Sequence, residues 1–147
     1  MKSLIGVPWL HQGRDREVGL DCIGAPRYCL VKQLGRLPEA LEREFDAYLR
    51  RPDGKYLLKV MREWFDEVEL SGPRVPLQPA DILVIYDWTN PQHVAVMVSE
   101  TEVVEAYCGV ASGVRKVMKQ RLDPRRVIAA VFRFPEGEKL KKWREGK

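Results

Sequence analysis

The sequence predicts an α+β fold in which N-terminal helices pack on one side of an antiparallel β-sheet. Apolar residues recur at helical spacing in the first half of the chain, and runs of branched residues bounded by turn residues follow from residue 81 onward. The chain has 147 residues, 45% of them apolar and 31% charged. This size and composition are typical of one globular domain with a single hydrophobic core.

Three helices are predicted before residue 70. The first runs from Cys22 to about Leu34, where Asp21 can accept the free N–H groups of the first turn and Gly35 ends the helix. The first twenty residues, rich in glycine and proline, are expected to form a loop. The second and third helices are expected at residues 38–50 and about 55–67, and a loop at 71–79.

The second half of the chain predicts the sheet. Strands are expected at residues 81–86, 93–98, 102–107, 114–117 and 127–134. A turn over residues 87–92 would place His93 at the mouth of the second strand. A tight turn at residues 99–102 would pair that strand with the next one.

Positive charge is concentrated in the last third of the sequence. The net charge is +4, and much of the excess lies in residues 115–126 and 139–147. We therefore predict a domain over residues 1–137 and a charged C-terminal tail over 138–147, solvated and frayed. A basic surface favours anionic polymers. The sequence has none of the usual nucleic-acid-binding motifs, so nucleic acid is not an expected partner.

The N-terminal residues do not resemble a signal peptide, and no apolar run approaches the roughly 20 residues that span a bilayer. We expect a protein made in the cytoplasm, with no membrane span. The three cysteines, Cys22, Cys29 and Cys108, are an odd number. Without a secretory signal, this favours free thiols over a disulfide framework.

Cys22 is a candidate nucleophile. A thiol at the start of a helix lies near unpaired N–H groups, and the helix dipole there lowers a cysteine pKa. Gly24 would leave room for a substrate. The alternative is a small core residue, since free cysteine is often buried. Cys108 has no helix start beside it and is expected to be a structural thiol.

His93 and Glu105 are the candidate partners of Cys22. His93 could take the thiol proton and return it to a leaving amine, and Glu105, twelve residues later on the neighbouring strand, could hold the ring. An acidic residue within an apolar strand is costly unless it has a partner. The alternatives are a histidine bonded to backbone and a glutamate facing solvent. Catalysis requires the Cys22 sulfur within hydrogen-bonding range of the His93 ring.

The sequence resembles the NlpC-type cell-wall cysteine peptidases, in the branch associated with phage and prophage tails. The likeness spans nearly the whole chain in order. Its segments are Gly6–Arg14, Gly19–Gly24, Tyr48–Gly54, Gln78–Val84, His93–Val98, Gln120–Asp123 and Phe132–Pro135. The family usually has Gly-Asp before the strand, and here Ala80 replaces the glycine.

The resemblance implies roles for individual residues. Cys22 matches the nucleophile, His93 the general base, and Glu105 the residue that orients the base, usually a histidine. Trp9 matches an aromatic position, commonly tyrosine, near the oxyanion hole. The candidate substrate-binding residues are Trp9, His11, Arg14 and Asp21. The implied fold has a papain-like core.

The resemblance further implies hydrolysis of amide bonds in the peptide stems of peptidoglycan, without a metal or organic cofactor. The implied partners are peptidoglycan stems and phage tail-tip proteins, with the protein on the virion tail or acting on the cell wall. Three alternatives remain open: a structural tail component without turnover, an acyl transferase or deamidase, and a small basic domain that binds nucleic acid with steep salt dependence.

Overall fold

The computed structural model describes residues 4–50, 53–70, 76–87, 90–108 and 113–146. Within these residues the elements are, in chain order, β1 (Arg14–Asp15), β2 (Gly19–Leu20), α1 (Gly24–Leu34), α2 (Glu39–Arg50), α3 (Gly54–Trp64), β3 (Asp66–Val68), β4 (Ile82–Asp87), β5 (Asn90–Met97), β6 (Glu102–Cys108), β7 (Arg115–Arg121), β8 (Ile128–Arg133) and α4 (Gly137–Glu145).

Six of these strands form one antiparallel sheet in the order β3-β8-β4-β5-β6-β7. The first two strands form a separate hairpin. The N-terminal segment runs along the outer edge of β7, where Val117 N–H donates to Val7 O at 2.8 Å and Gly6 N–H to Val117 O at 2.9 Å. This segment therefore covers a sheet edge and brings residues 6–9 to the sheet.

The main core lies between the helices and one face of the sheet. It contains apolar residues from the first three helices, from the middle strands and from α4, all buried: Ile23, Leu30, Leu41, Phe45, Leu57, Met61, Trp64, Val84, Val94, Phe132 and Trp143. Because side chains alternate along a strand, the opposite sheet face carries a second cluster that includes Leu83, Ile85, Ala95 and Val131. The predicted α+β architecture is confirmed.

The first helix begins at Gly24, two residues later than predicted. The Asp21 carboxylate accepts the N–H groups of Ile23 and Gly24 at 3.0 and 2.8 Å, as expected of a residue that caps a first turn. The helix ends at Gly35, whose φ of 84° suits glycine and whose N–H bonds to Val31 O. Glycine thus ends this helix as predicted.

Several predicted boundaries are wrong. Residues 14–15 and 19–20 form a hairpin inside the predicted N-terminal loop, and α3 ends at Trp64 because the chain turns into β3, which pairs with β8. The turn expected at residues 87–92 is part of β5 from Asn90 onward, so His93 lies inside the strand. Part of the loop expected at 71–79, namely residues 71–75, lies outside the described residues.

The expectation of a frayed C-terminal end is also wrong, since residues 137–145 form α4. Its Trp143 is buried, donates its indole N–H to Trp64 O at 2.6 Å, and makes edge contacts with Phe65 and Phe134. Lys139 Nζ donates to two carbonyls at the end of α3, at 2.8 and 2.7 Å. The segment therefore buries the Trp143 side chain, and Lys139 supplies hydrogen bonds to backbone carbonyls at the C-terminal end of α3.

Candidate active site

Cys22 lies directly before α1, against the backbone of β5. Its thiol donates to the carbonyl oxygen of Gln92, with Sγ and O 3.6 Å apart. The backbone N–H of Val94 donates toward the same sulfur. Gln92 and Val94 are the neighbours of His93 in the chain. The sulfur of Cys22 therefore lies against the β5 backbone on either side of His93.

The structure does not join Cys22 to the His93 ring by a direct hydrogen bond. Within the described residues, the hydrogen bond of the thiol goes to Gln92 O, and that of the ring goes to Glu105. The Cys22 sulfur thus contacts the backbone on either side of His93, while the His93 ring is bonded to Glu105.

The pKa of the Cys22 thiol is raised to about 12, mainly because burial disfavours the thiolate and also because of the nearby Asp21 charge. The N–H groups of Val94 and of Cys22 itself lower it by less. The predicted lowering by a helix start is wrong. The N–H groups of Ile23 and Gly24 at the start of the helix already bind the Asp21 carboxylate, so they do not stabilise a thiolate.

His93 and Glu105 meet as the sequence predicted. Nε2 of the ring lies 3.0 Å from Oε1 of the glutamate, whose residue has 0% exposure. The other oxygen, Oε2, accepts from Arg126 Nη1 at 2.6 Å. Burial raises the pKa of Glu105, but the hydrogen bonds and charges of His93 and Arg126 outweigh burial and lower it to about 2. Glu105 is therefore an ionised carboxylate between two basic groups.

The pairing of β4 with β5 is irregular beside His93. Ile85 of β4 pairs with His93 and Tyr86 pairs with Pro91, so the register shifts by one residue at Gln92. The Gln92 side chain accepts from Asn90 Nδ2 at 2.9 Å, and Asn90 Oδ1 accepts the N–H of Gly54 at the start of α3, at 3.0 Å. These two hydrogen bonds connect the irregular stretch to the start of α3. Bulges often lie next to active sites, where they redirect side chains.

Sequence reasoning missed three residues of this arrangement: Asn90, Gln92 and Arg126. The first two were assigned to a turn, and the third was counted only as surface charge. Arg126 could have been suspected, because a glutamate in an apolar strand needs a strong partner and an imidazole supplies only one donor to it. Nothing in the sequence distinguishes Arg126 from Arg125.

Asp21 and Arg14 form a pair beside Cys22. Arg14 Nη1 donates to Asp21 Oδ1 at 2.6 Å, and the Asp21 residue is only 4% exposed. Nε and Nη2 of Arg14 are buried without a hydrogen-bond partner among the described residues. The space predicted for substrate at Gly24 is filled instead: a Cβ there would lie 2.2 Å from Gly13 O and 2.9 Å from Arg14 Nη1. Gly24 serves close packing.

Trp9 lies next to Leu20, just before the Asp21-Cys22 pair, through an isolated bridge. Its ring is half-buried, the exposed His11 ring lies 6.3 Å from it, and the Arg115 guanidinium lies 5.1 Å from its centroid. The structure therefore brings Trp9 and His11 together near the start of α1 and adds Arg115, which the sequence had offered only as part of a basic run.

The other cysteines lie apart from this arrangement: Cys29 is buried in the core, and Cys108 is exposed at the end of β6. Among the described residues there is no group of three or more His, Cys, Asp or Glu side chains that could hold a metal ion. No helix in the described part of the chain is long and apolar enough to cross a membrane.

No protein-family model matches this chain, and no curated protein matches it in sequence. Among solved structures, the chain is similar to the crystal structure of the NlpC/p60 domain of the peptidoglycan hydrolase SagA. The TM-score is 0.55 and the sequence identity 18%, over 90% of this chain and 91% of the other. Because the likeness covers nearly all of both chains, the protein has the papain-like α+β fold of an NlpC/p60 domain.

Proposed function

We propose that this protein is a cysteine peptidase or amidase that hydrolyses amide bonds in the peptide stems of bacterial peptidoglycan. Cys22 acts as nucleophile, His93 as general base and Glu105 as the residue that orients the base. The observation that carries the proposal is the contact of the Cys22 sulfur with both neighbours of His93, whose ring is held by a buried carboxylate. The fold shared with a domain of a peptidoglycan hydrolase supports the choice of substrate.

The proposed reaction begins with a proton transfer. Because Nε2 of His93 is held by Glu105, Nδ1 is the nitrogen left to accept the thiol proton. A thiol with a pKa of about 12 is protonated at neutral pH, so the sulfur becomes nucleophilic only as the base takes its proton. Rotation of the Cys22 side chain away from Gln92 O toward the ring prepares this step.

The sulfur then attacks the amide carbon, and the C–N bond breaks as His93 returns the proton to the leaving amine. The resulting thioester is hydrolysed by a water molecule that His93 deprotonates, which releases the acid and restores the thiol. Glu105 keeps the ring in one orientation and stabilises the imidazolium that forms during each half of the reaction, as the acidic residue of a triad does.

Substrate binding is assigned to the surface around the start of α1. The Arg14 side chain is 21% exposed, and two of its nitrogens have no hydrogen-bond partner among the described residues, so we assign it to a carboxylate of the stem. Both oxygens of Asp21 accept hydrogen bonds from the protein, so its part in binding is to hold Arg14. Trp9 and His11 offer an aromatic surface beside them.

Delivery to the wall is proposed to occur on a phage or prophage tail, with tail-tip proteins as partners. This proposal rests on the resemblance of His11-Gln12-Gly13-Arg14 to the tail-associated branch. Purified particles should then contain the chain, and an antibody against it should label the tail. A chain found only in the host cytoplasm would contradict this part of the proposal.

The function is tested by digesting purified muropeptides with the wild type and with Cys22→Ala, and identifying the products by mass. We expect defined stem fragments from the wild type and a loss of at least about a thousandfold in rate for the variant, as for removal of a nucleophile. Cys108→Ala, which removes an exposed thiol elsewhere, is the matched control and should cut normally. Equal products from wild type and Cys22→Ala would refute the proposed nucleophile.

A second candidate function is a structural tail component without turnover. It is favoured by the thiol of Cys22, which is turned to Gln92 O and has a raised pKa. Alkylation by iodoacetamide at pH 7, followed by peptide mapping, separates the two. The hydrolase should react at Cys22 faster than its His93→Ala variant does, whereas an inert thiol should react equally slowly in both.

A further inference from the structure

The buried carboxylate of Glu105 links two basic side chains. Oε1 lies 3.0 Å from His93 Nε2, and Oε2 accepts from Arg126 Nη1 at 2.6 Å. Glu105 has 0% exposure, and the Arg126 side chain is 24% exposed. Because each oxygen has its own basic partner, the carboxylate cannot rotate without breaking the contact with Arg126. The orientation of the His93 ring therefore depends on Arg126.

Adjacent arginines in the turn between β7 and β8 have different environments. The Arg125 side chain is 89% exposed and pairs with the Asp123 carboxylate at 2.8 Å. Arg126 bonds to Asp123 only through its backbone N–H, at 3.1 Å, and its side chain binds Glu105 instead. The turn therefore supplies one arginine to the site and one to the surface, which gives a matched control of the same residue type.

The charged and titratable groups around His93 come from several elements. Glu105 of β6 contacts the ring, Arg126 of the β7–β8 turn binds the other oxygen of Glu105, and the Cys22 sulfur contacts the backbone on either side of His93. Asp21 and Arg14 act in turn on Cys22. On β4 the residue opposite the ring is the apolar Ile85. A buried carboxylate alone beside an imidazole favours the imidazolium, which cannot accept a thiol proton. The positive charge of Arg126 on the same carboxylate counteracts this effect.

We propose that Arg126 is a positioning residue that acts through Glu105 and fixes the orientation of the His93 ring, so that its other nitrogen can accept the Cys22 proton. This inference rests on the proposed function of the site. It assigns Glu105 and Arg126 together to the position where the resemblance suggests a single orienting residue.

The test compares Arg126→Gln, Arg126→Lys and Arg125→Gln in muropeptide hydrolysis as a function of pH. For Arg126→Gln we expect the acidic limb of kcat/KM to move up by about one pH unit, which is about a tenfold loss on that limb. Arg126→Lys, which keeps the charge, should recover most of the activity and of the profile. Arg125→Gln should match the wild type in both.

The dependence on Glu105 is tested in the Glu105→Gln background, where adding Arg126→Gln should change the rate by less than about threefold, because the linking carboxylate is gone. An unmoved acidic limb in Arg126→Gln, an equal effect of Arg125→Gln, or the full loss in the Glu105→Gln background would each overturn the proposal. If Arg126→Gln does not fold, Arg126→Lys decides: its small remaining shift of the acidic limb should exceed that of Arg125→Gln, which should show none, and equal limbs in the two variants would overturn the proposal.

A readout without turnover separates this inference from the proposed function. The chain has only two histidines, so the His93 ring signals can be assigned by NMR with a His11→Gln variant. In Arg126→Gln these signals should titrate at higher pH than in the wild type, and in Arg125→Gln at the same pH. An inactive wild type with this shift would refute the hydrolase but not the role of Arg126; no shift would refute that role even in an active enzyme.

Discussion

At the scale of single residues, the Asp21 charge adds to burial in raising the pKa of the Cys22 thiol beside it. One carboxylate accepts the N–H groups of Gln12, Ile23 and Gly24 and the Nη1 of Arg14, at 2.6 to 3.1 Å. These bonds hold the hairpin against the start of α1. They also use the N–H groups that would otherwise favour a thiolate at Cys22, so the thiol, as the proposed nucleophile, depends on a base.

Ala80 shows a different constraint on a single residue. Its φ of 74° lies in the left-handed region, where the side chain is strained, and its N–H bonds to Met97 O at 2.8 Å. The resemblance predicted a glycine at this position, directly before the buried Asp81. The conformation explains that preference, since glycine adopts this φ without strain.

Ala80→Gly should therefore stabilise the protein by about 0.5–1 kcal/mol, because relief of left-handed strain exceeds the extra chain entropy that glycine gains on unfolding. Urea denaturation followed by circular dichroism measures the change. Ala47→Gly, an exposed site inside α2, is the matched control and should destabilise by about 1 kcal/mol. A loss of stability in both variants would show that Ala80 carries no strain.

At the scale of secondary-structure elements, the candidate site lies along the first half of β5, where the strand pairing is irregular. Within the described residues, β5 pairs in register with β6 at Val96 and Met97, and its first half carries the register shift at Gln92. In that half, the backbone carbonyl of Gln92 and the backbone N–H of Val94 contact the Cys22 sulfur. Asn90 connects the same stretch to α3. The candidate site thus lies at the irregular half of β5.

The C-terminal helix α4 contributes to the core through one side chain. Trp143 packs edge-on against Trp64, Phe65 and Phe134, at centroid distances of 6.4, 5.4 and 5.4 Å. Around it, Lys142 lies 3.9 Å from the Trp64 ring centroid and pairs with Glu63. The charged face of the helix is therefore in contact with α3, and the tryptophan fixes its position.

Trp143→Ala should lower the free energy of unfolding by about 3–5 kcal/mol, since it removes a buried aromatic side chain and the hydrogen bond to Trp64 O. Thermal or urea unfolding tests this. Arg144→Ala, the exposed neighbour, should change stability by less than about 0.5 kcal/mol. A small effect of Trp143→Ala would mean that α4 does not pack on the domain in solution.

The sequence predicted elements better than their ends. Helical spacing and branched runs located the first three helices and five of the sheet strands, because burial of one face imposes these periods. The short β3 escaped prediction because its three residues, Asp66–Val68, are too few to show alternation. The run of charges hid α4, whose stability comes from the contacts of Trp143 with distant residues rather than from local pattern.

Prediction of the site had the same limits. The pairing of His93 with Glu105 followed from hairpin geometry and from the cost of a buried charge. Arg126 lies 21 residues beyond Glu105 and reaches it only through the order of the strands. The sequence predicted the wrong direction for the pKa shift of the Cys22 thiol, because this shift depends on burial, which the local sequence does not reveal.

At the scale of the whole molecule, the sheet order brings two buried carboxylates to arginines that are distant in sequence. Besides Glu105, the carboxylate of Asp81 at the start of β4 is 1% exposed and accepts Arg133 Nε and Nη2 from β8 at 2.8 and 3.1 Å. Each pair joins segments distant in sequence. Loss of one partner would leave a buried charge, so these pairs bind the fold together as well as serving local geometry.

The buried Glu105 makes global stability depend on pH. Its pKa is about 2 in the folded protein against 4.5 for an unperturbed glutamate, so folding favours the ionised form. This contribution is fully present above pH 4.5 and is lost as the pH falls toward 2. From these two values it amounts to roughly 3 kcal/mol.

Glu105→Gln should therefore unfold more easily than the wild type at pH 7 and almost equally at pH 2, because protonation of the wild-type carboxylate removes the same interactions. Urea unfolding at several pH values between 2 and 7 measures the difference. Glu100→Gln, an exposed change on the same side of the turn before β6, should run parallel to the wild type. A constant gap between Glu105→Gln and the wild type over this range would mean that ionised Glu105 contributes no pH-dependent stability, and that its contacts with His93 and Arg126 do not hold the carboxylate in its charged form.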